Sequence, residues 1–132
     1  MDFVIDTSAI VELFAGAAVV DELRRVALTA RGAAPELLDL EAAQAIRGMV
    51  RRGDLTDAEG SARLRQVQQS PITRVSHRQL VDRVWELRHS VTAYDAAYIA
   101  LAERLDAPLL TCDRRLAGAH GHRAHVELYA RS

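Results

Sequence analysis

Two short apolar runs that end directly on an aspartate constrain this chain most: Phe3-Val4-Ile5 before Asp6, and Leu109 to Cys112 before Asp113. Neither run alternates polar with apolar residues, which is the pattern of a strand buried on both faces of a parallel sheet. An extended piece around Pro35 (33–36), Ile72 to Val75 and a weaker Val126 to Tyr129 are the other strand candidates. Helical patterning separates them. The order predicts an α/β domain, a mainly parallel sheet between two helical layers.

The helices carry recognisable start and stop signals. Asp6-Thr7-Ser8 offers three capping residues before a helix over Ala9 to Phe14, and Val19 to Leu28 has helical apolar spacing that Gly32 is expected to end. From Leu37 to Val50 the apolar positions Leu40, Ala43, Ile46 and Val50 recur at three and four residues, with Gly53 closing the helix. Thr56-x-x-Glu59 is a capping box opening a helix that Ser70-Pro71 stops near Gln69. Ser76 caps a helix striped by Leu80, Val84, Leu87 and Val91, with Trp85 beside the stripe. Thr92-x-x-Asp95 opens the last long one, with Tyr94, Tyr98, Leu101 and Leu105 on one face, ending near Ala107-Pro108. Residues 130–132 read as a loose tail.

A chain of 132 residues without repeats or linkers is the size of a single domain over 1–132. Its 17 basic and 18 acidic side chains nearly cancel, so any polyanion must be met by a local patch and not by a global field. All the basic residues are arginine, which removes the lysine of a P-loop, of a Schiff base or of a receiver site. Cys112, alone, forms no internal disulfide and reads as a buried thiol. The N-terminal residues show neither a basic region nor a long apolar stretch, so a cytoplasmic protein with no membrane contact is expected.

In an open parallel sheet ligands gather at the carboxyl ends of the strands, where Asp6 and Asp113 both fall. Asp95 lies in the first turn of a helix, and Glu41 one turn into another, so both are free to face the same edge. Taken singly, each acid is explained by capping or solvation. Four carboxylates brought to one cleft repel by several kcal/mol and protonate or splay unless a cation sits among them. Oxygen ligands without histidine or cysteine suit magnesium, or manganese, better than zinc. The loop histidines His120, His122 and His125 read as surface residues, and Trp85, Tyr94 and Tyr98 as packing or a subunit interface.

The segments Phe3-Val4-Ile5-Asp6-Thr7-Ser8-Ala9, 35–41 (Pro-Glu-Leu-Leu-Asp-Leu-Glu), Tyr94-Asp95-Ala96-Ala97-Tyr98-Ile99-Ala100-Leu101-Ala102 and 109–116 (Leu-Leu-Thr-Cys-Asp-Arg-Arg-Leu) together resemble the motifs of PIN-domain proteins of the VapC toxin type, across nearly the whole chain. The resemblance implies a magnesium-dependent endoribonuclease toxin, with Asp6, Glu41, Asp95 and Asp113 as the catalytic and metal-holding acids. Ser8 and Thr111 would support them. It further implies an RNA substrate, a VapB-type antitoxin partner and a homodimer, with Val11, Leu13 and Phe14 as a candidate antitoxin groove. Gln44 stands where such proteins often carry asparagine, which bears on a helper contact and not on the metal site. Asp39 competes with Glu41 but points about 160° around the helix from it. Arg114, then Arg52, with Arg47, Arg51 and Arg115 nearby, are the candidate phosphate contacts. Products should carry 5′-phosphate and 3′-hydroxyl ends. Two other classes remain: a catalytically inactive PIN fold acting as a binding module, and an aspartate-based phosphate-handling regulator, against which the missing lysine and Ser8 both count.

Overall fold

The strands form one sheet in which all pairings are parallel, in a computed structural model that describes residues 1–16 and 20–129. Strands β1 (Phe3–Ile5), β2 (Gly32–Pro35), β3 (Thr73–Val75), β4 (Leu109–Thr111) and β5 (Val126–Leu128) lie in the order β3-β2-β1-β4-β5. The chain builds outward from β1 to β3, then returns to the other side of β1 with β4, so the order reverses between β1 and β4. Val4 stands opposite Leu109 and Ile5 opposite Leu110, which brings both strands' carboxyl ends to one level. The three residues of β1 and of β4 are all buried. That explains why their sequences do not alternate.

Helices α1 (Thr7–Ala15), α2 (Asp21–Thr29), α3 (Leu38–Arg51) and α4 (Asp57–Gln69) fill the first two crossovers, and α1, α3 and α4 pack on one another. A 3-10 turn (His77–Leu80), α5 (Val81–Glu86) and α6 (Ala93–Leu105) fill the third, and short α7 (Arg114–Ala117) follows β4. Helix α6 lies against β1, β2 and β4 on one side and α5 on another, so its residues from Ala96 to Ala102 are continuously buried. Sandwiched this way it needs apolar residues all round, not the single face its spacing predicts.

Several local expectations differ from the structure. Gly32 does not end α2, which stops at Thr29; it starts β2, where a side chain would collide with the Phe3 ring on the neighbouring strand. The start of that helix at Val19 lies outside the described residues, as does the tail 130–132. Leu40 is 77% exposed, because the buried face of α3 is set by Leu38, Ala42 and Ile46. The helix expected to run through Val91 ends at Glu86, after which the amides of Ser90 and Val91 turn back to the Leu87 carbonyl. Trp85 and Tyr94 are 67% and 65% exposed, so neither packs in the core as their spacing suggests. The capping box of α4 forms in both directions, and Gly53, at φ 83°, makes the left-handed turn that closes α3. Among the described residues no helix is long and apolar enough to cross a membrane.

Candidate active site

Asp6 sits where β1 passes into α1, and its carboxylate is the cap of that helix. Oδ1 accepts from the Ala9 amide at 3.0 Å and from Ser8 Oγ at 2.7 Å, while Oδ2 accepts from Thr111 Oγ1 at 2.5 Å. Ser8 in turn accepts from the Cys112 amide at 2.9 Å, and Thr111 from the Asp113 amide at 3.0 Å. These bonds stitch the ends of β1 and β4 together across the switch point. They also orient a side chain that the fold almost wholly encloses, with 5% of Asp6 exposed.

Enclosure sets its charge. Burial pushes the Asp6 carboxyl up to about 6 from an ordinary 3.8, against the pull of Thr111, Ala9 and Ser8, and Asp95 adds repulsion. Asp95, in the first turn of α6 behind its Thr92 cap, is likewise raised, first by burial and then by Asp113 and Glu41, while Arg115 and Thr92 oppose the rise. Each of the four acids therefore figures in the electrostatics of another. Asp113 caps α7, its Oδ1 accepting from the Arg115 amide at 2.9 Å.

Glu41 arrives from α3. Its Oε1 accepts from Tyr98 Oη at 2.7 Å and from Thr7 Oγ1 at 2.8 Å, and the two hydroxyls are themselves 2.8 Å apart. Burial, with Glu41 beside it, pushes the Tyr98 hydroxyl far above its ordinary value, so it stays a hydrogen-bond donor. From sequence alone, Tyr98 reads as packing or a subunit interface and Thr7 only as a capping residue. The available signal was spacing: Tyr98 follows Asp95 by three positions on one helix, and Thr7 adjoins Asp6. Asp39 is committed elsewhere, meeting Arg74 through two bonds of 2.8 and 3.0 Å.

A PIN domain model matches residues 3–121, the stretch from the first residue of β1 to just beyond α7. The chain belongs to the PIN-domain family. Within it the match is to the VapC type: ribonuclease VapC12 of Mycobacterium tuberculosis is 42% identical over 131 residues, spanning 96% of this chain and 98% of that one. Two solved structures share the fold. VapBC2 from Rickettsia felis, crystallised with a DNA fragment from its promoter, has a TM-score of 0.69 at 13% identity, covering 98% of this chain and 99% of that one. VapBC-5 from Mycobacterium tuberculosis, a member of the VapBC family of toxin-antitoxin systems, has a TM-score of 0.56 at 23% identity, covering 98% of each chain.

In this PIN domain the supporting residues Ser8 and Thr111 both reach Asp6. The two arginine candidates part company. Arg114 is exposed at the start of α7, next to Asp113. Arg52 caps the far end of α3 from Glu41 and pairs with Asp54 at 3.2 Å. Arg115, which followed them in the sequence reading, is the arginine whose charge reaches Asp95. His120 and His125 are exposed, and His125 approaches Glu127 at 3.5 Å.

The donors at the cleft are carboxylate oxygens, the set that suits magnesium or manganese. Among the described residues no three acids, histidines or cysteines are drawn into a ready-made cage.

Proposed function

We propose that this PIN domain is a magnesium-dependent endoribonuclease of the toxin type, kept silent by a VapB-type antitoxin. One observation carries the reading: a carboxyl buried at the sheet's switch point and pushed up to about 6, with Asp95 in its electrostatic reach and Asp113 and Glu41 in that of Asp95. The near-full-length relative named a ribonuclease points the same way and supports an RNase toxin.

Asp6, Asp95, Asp113 and Glu41 would hold the ion. When bound, it supplies an activated water and neutralises charge on the bridging phosphate. The chain's own part is to keep those oxygens in place. Thr111 and Ser8 fix both oxygens of Asp6, and Tyr98 with Thr7 fixes Glu41. Ser8 is committed to Asp6 and to the Cys112 amide, so it does not stand free as the second group of an aspartyl phosphotransfer site.

The antitoxin would lie in a cavity of about 740 Å³ among α1 to α4, lined by Leu13, Phe14, Met49 and Leu55 with Arg24 and Arg63 at hand. Exposed Leu40, Val81 and Tyr94 offer apolar area for the homodimer. Incubating the pure protein with total RNA in magnesium and mapping the cut ends tests the activity: 5′-phosphate and 3′-hydroxyl ends are expected. Cyclic 2′,3′-phosphate ends would overturn the mechanism, and intact RNA in both magnesium and manganese would favour a binding module.

A further inference from the structure

An acidic cleft handles the phosphate being cut but repels the phosphates on either side of it, so a strand of RNA needs cations just outside the carboxylates. Several arginines of this chain are spent in ion pairs, among them Arg25, Arg52, Arg74 and Arg83. Among the described residues Arg88 and Arg115 are in no ion pair within hydrogen-bonding reach, and both line one cavity of about 450 Å³ whose remaining wall includes His89, Ser90, Thr92 and Asp95. Asp95 thus belongs to both the acidic site and this basic hollow. The hollow begins where the carboxylates end.

Arg88 is also held in advance. Its guanidinium carbon lies 4.7 Å from the centre of the Trp85 ring, and its Nη1 donates to the Trp85 carbonyl at 2.8 Å. Stacking and that single bond remove side-chain freedom while leaving most of a five-donor fork for a ligand. This gives exposed Trp85 a task that core packing does not explain. Arg115 is tied from the other direction, through its amide, to Asp113. Ser90 and Thr92 add hydroxyls suited to a ribose 2′-hydroxyl.

We propose that the cavity formed by Trp85-supported Arg88, His89 and Arg115 beside Asp95 is the subsite for the RNA phosphate adjoining the one that is cut. The inference rests on the ribonuclease reading and names how that site holds its strand. Guanidinium forks match phosphate oxygens in pairs, so the subsite fixes register along the strand and makes no choice of base.

The test uses the full chain and a short fluorescent single-stranded oligoribonucleotide. Binding is followed by anisotropy in EDTA over a salt series, and cleavage by initial rates in magnesium. The double variant R88A/R115A is expected to flatten the logarithmic salt dependence by about 0.7 for each lost phosphate contact. It should raise KM roughly 10-fold, and R88A alone, which leaves Arg115 beside Asp95, should raise KM while kcat stays within about 3-fold, the signature of lost uniform binding. R88K keeps the charge but loses the planar fork, and W85A keeps the fork but loses its support; both should fall between parent and double variant. R31A, exposed at the amino edge of the sheet, should match the parent. A parent that cuts RNA, with R88A/R115A equal to it in salt slope and KM, overturns this subsite alone. A parent that cuts no RNA in any divalent ion overturns the ribonuclease reading on which it rests.

Discussion

Two kinds of buried or half-buried acid stand in this molecule. Glu103 on α6 is gripped by Arg83 through bonds of 2.8 and 2.9 Å and by the Arg123 amide at 2.7 Å, and Asp39 is gripped by Arg74 in the same two-pronged way. Those bonds, Arg83 foremost, hold the Glu103 carboxyl below its ordinary value. Asp6 and Asp95 move in the opposite direction, because burial removes water and the nearest charges include other acids. An arginine-rich chain therefore neutralises its acids where they serve the fold and leaves them uncompensated at the switch between β1 and β4. Uncompensated buried charge costs stability, and carboxyls raised in this way concentrate at functional sites.

The most severe way to test the contrast is Asp6→Asn, which keeps the side chain's shape and removes its charge. RNA cleavage measured on a labelled substrate should fall to background, and residual cleavage near the parental rate would end the metal-site reading. Next in size are the groups that hold the acids. Thr111→Val and Tyr98→Phe should each cost about 10–100-fold in cleavage rate, the usual range for residues that orient metal ligands. Thr111→Val removes a bond that lowers the Asp6 pKa, so its rate profile should also shift to higher pH; an unshifted profile would show that Thr111 does not tune Asp6.

The sign of the pH effect on stability follows from the raised carboxyl. Between 3.8 and about 6 the folded chain keeps a proton on Asp6 that the unfolded chain has released, so stability falls as pH rises through that window. Above it, the ionised and buried carboxylate costs on the order of 3 kcal/mol. On the proposed metal-site reading, a divalent ion would compete with that proton. Magnesium at about 100 times its dissociation constant should raise the melting temperature by roughly 10 °C at pH 8, and by far less at pH 5. Equal gains at both pH values would break the link between Asp6 and the ion.

The paired acids should behave otherwise. Arg83→Met strips Glu103, whose side chain is 4% exposed, of its main partner and should cost about 2 kcal/mol in denaturant unfolding, less than a fully buried pair because Arg83 is itself 26% exposed. Cleavage by the folded variant should be unchanged. The smallest effect is expected for Arg52→Ala. That residue's pairing with Asp54 is exposed on both sides, so stability should move by less than about 0.5 kcal/mol. A large rise in KM there would mark it as an RNA contact.

Local chemistry is what could be read without the structure. The strand at Phe3–Ile5, the capping box at Thr56 and Glu59, and the helix opening at Thr92 depend on neighbours in sequence, and all three form as their residues predict. The β1–β4 pairing turned two aspartates at strand ends into one site, a step the spacing allowed but did not require. Where tertiary context decides, local patterning misled. The stripe through Leu40 kept Ile46 but gave way to Leu38 and Ala42 elsewhere, and Gly32 owes its presence to a ring on another strand.

By itself the sequence determined the α/β alternation, the position of Asp6 and Asp113 after buried strands, and the exclusion of lysine chemistry. These follow from short-range sterics, capping and composition. Only the tertiary structure decided that Thr7 and Tyr98 hold Glu41, that Thr111 shares Asp6 with Ser8, and that Arg88 rests on Trp85 beside Asp95. Most of those partners lie far apart along the chain, 34 residues for Thr7 and Glu41 and 105 for Asp6 and Thr111. Their meeting is fixed by sheet order and helix packing, which no local pattern encodes.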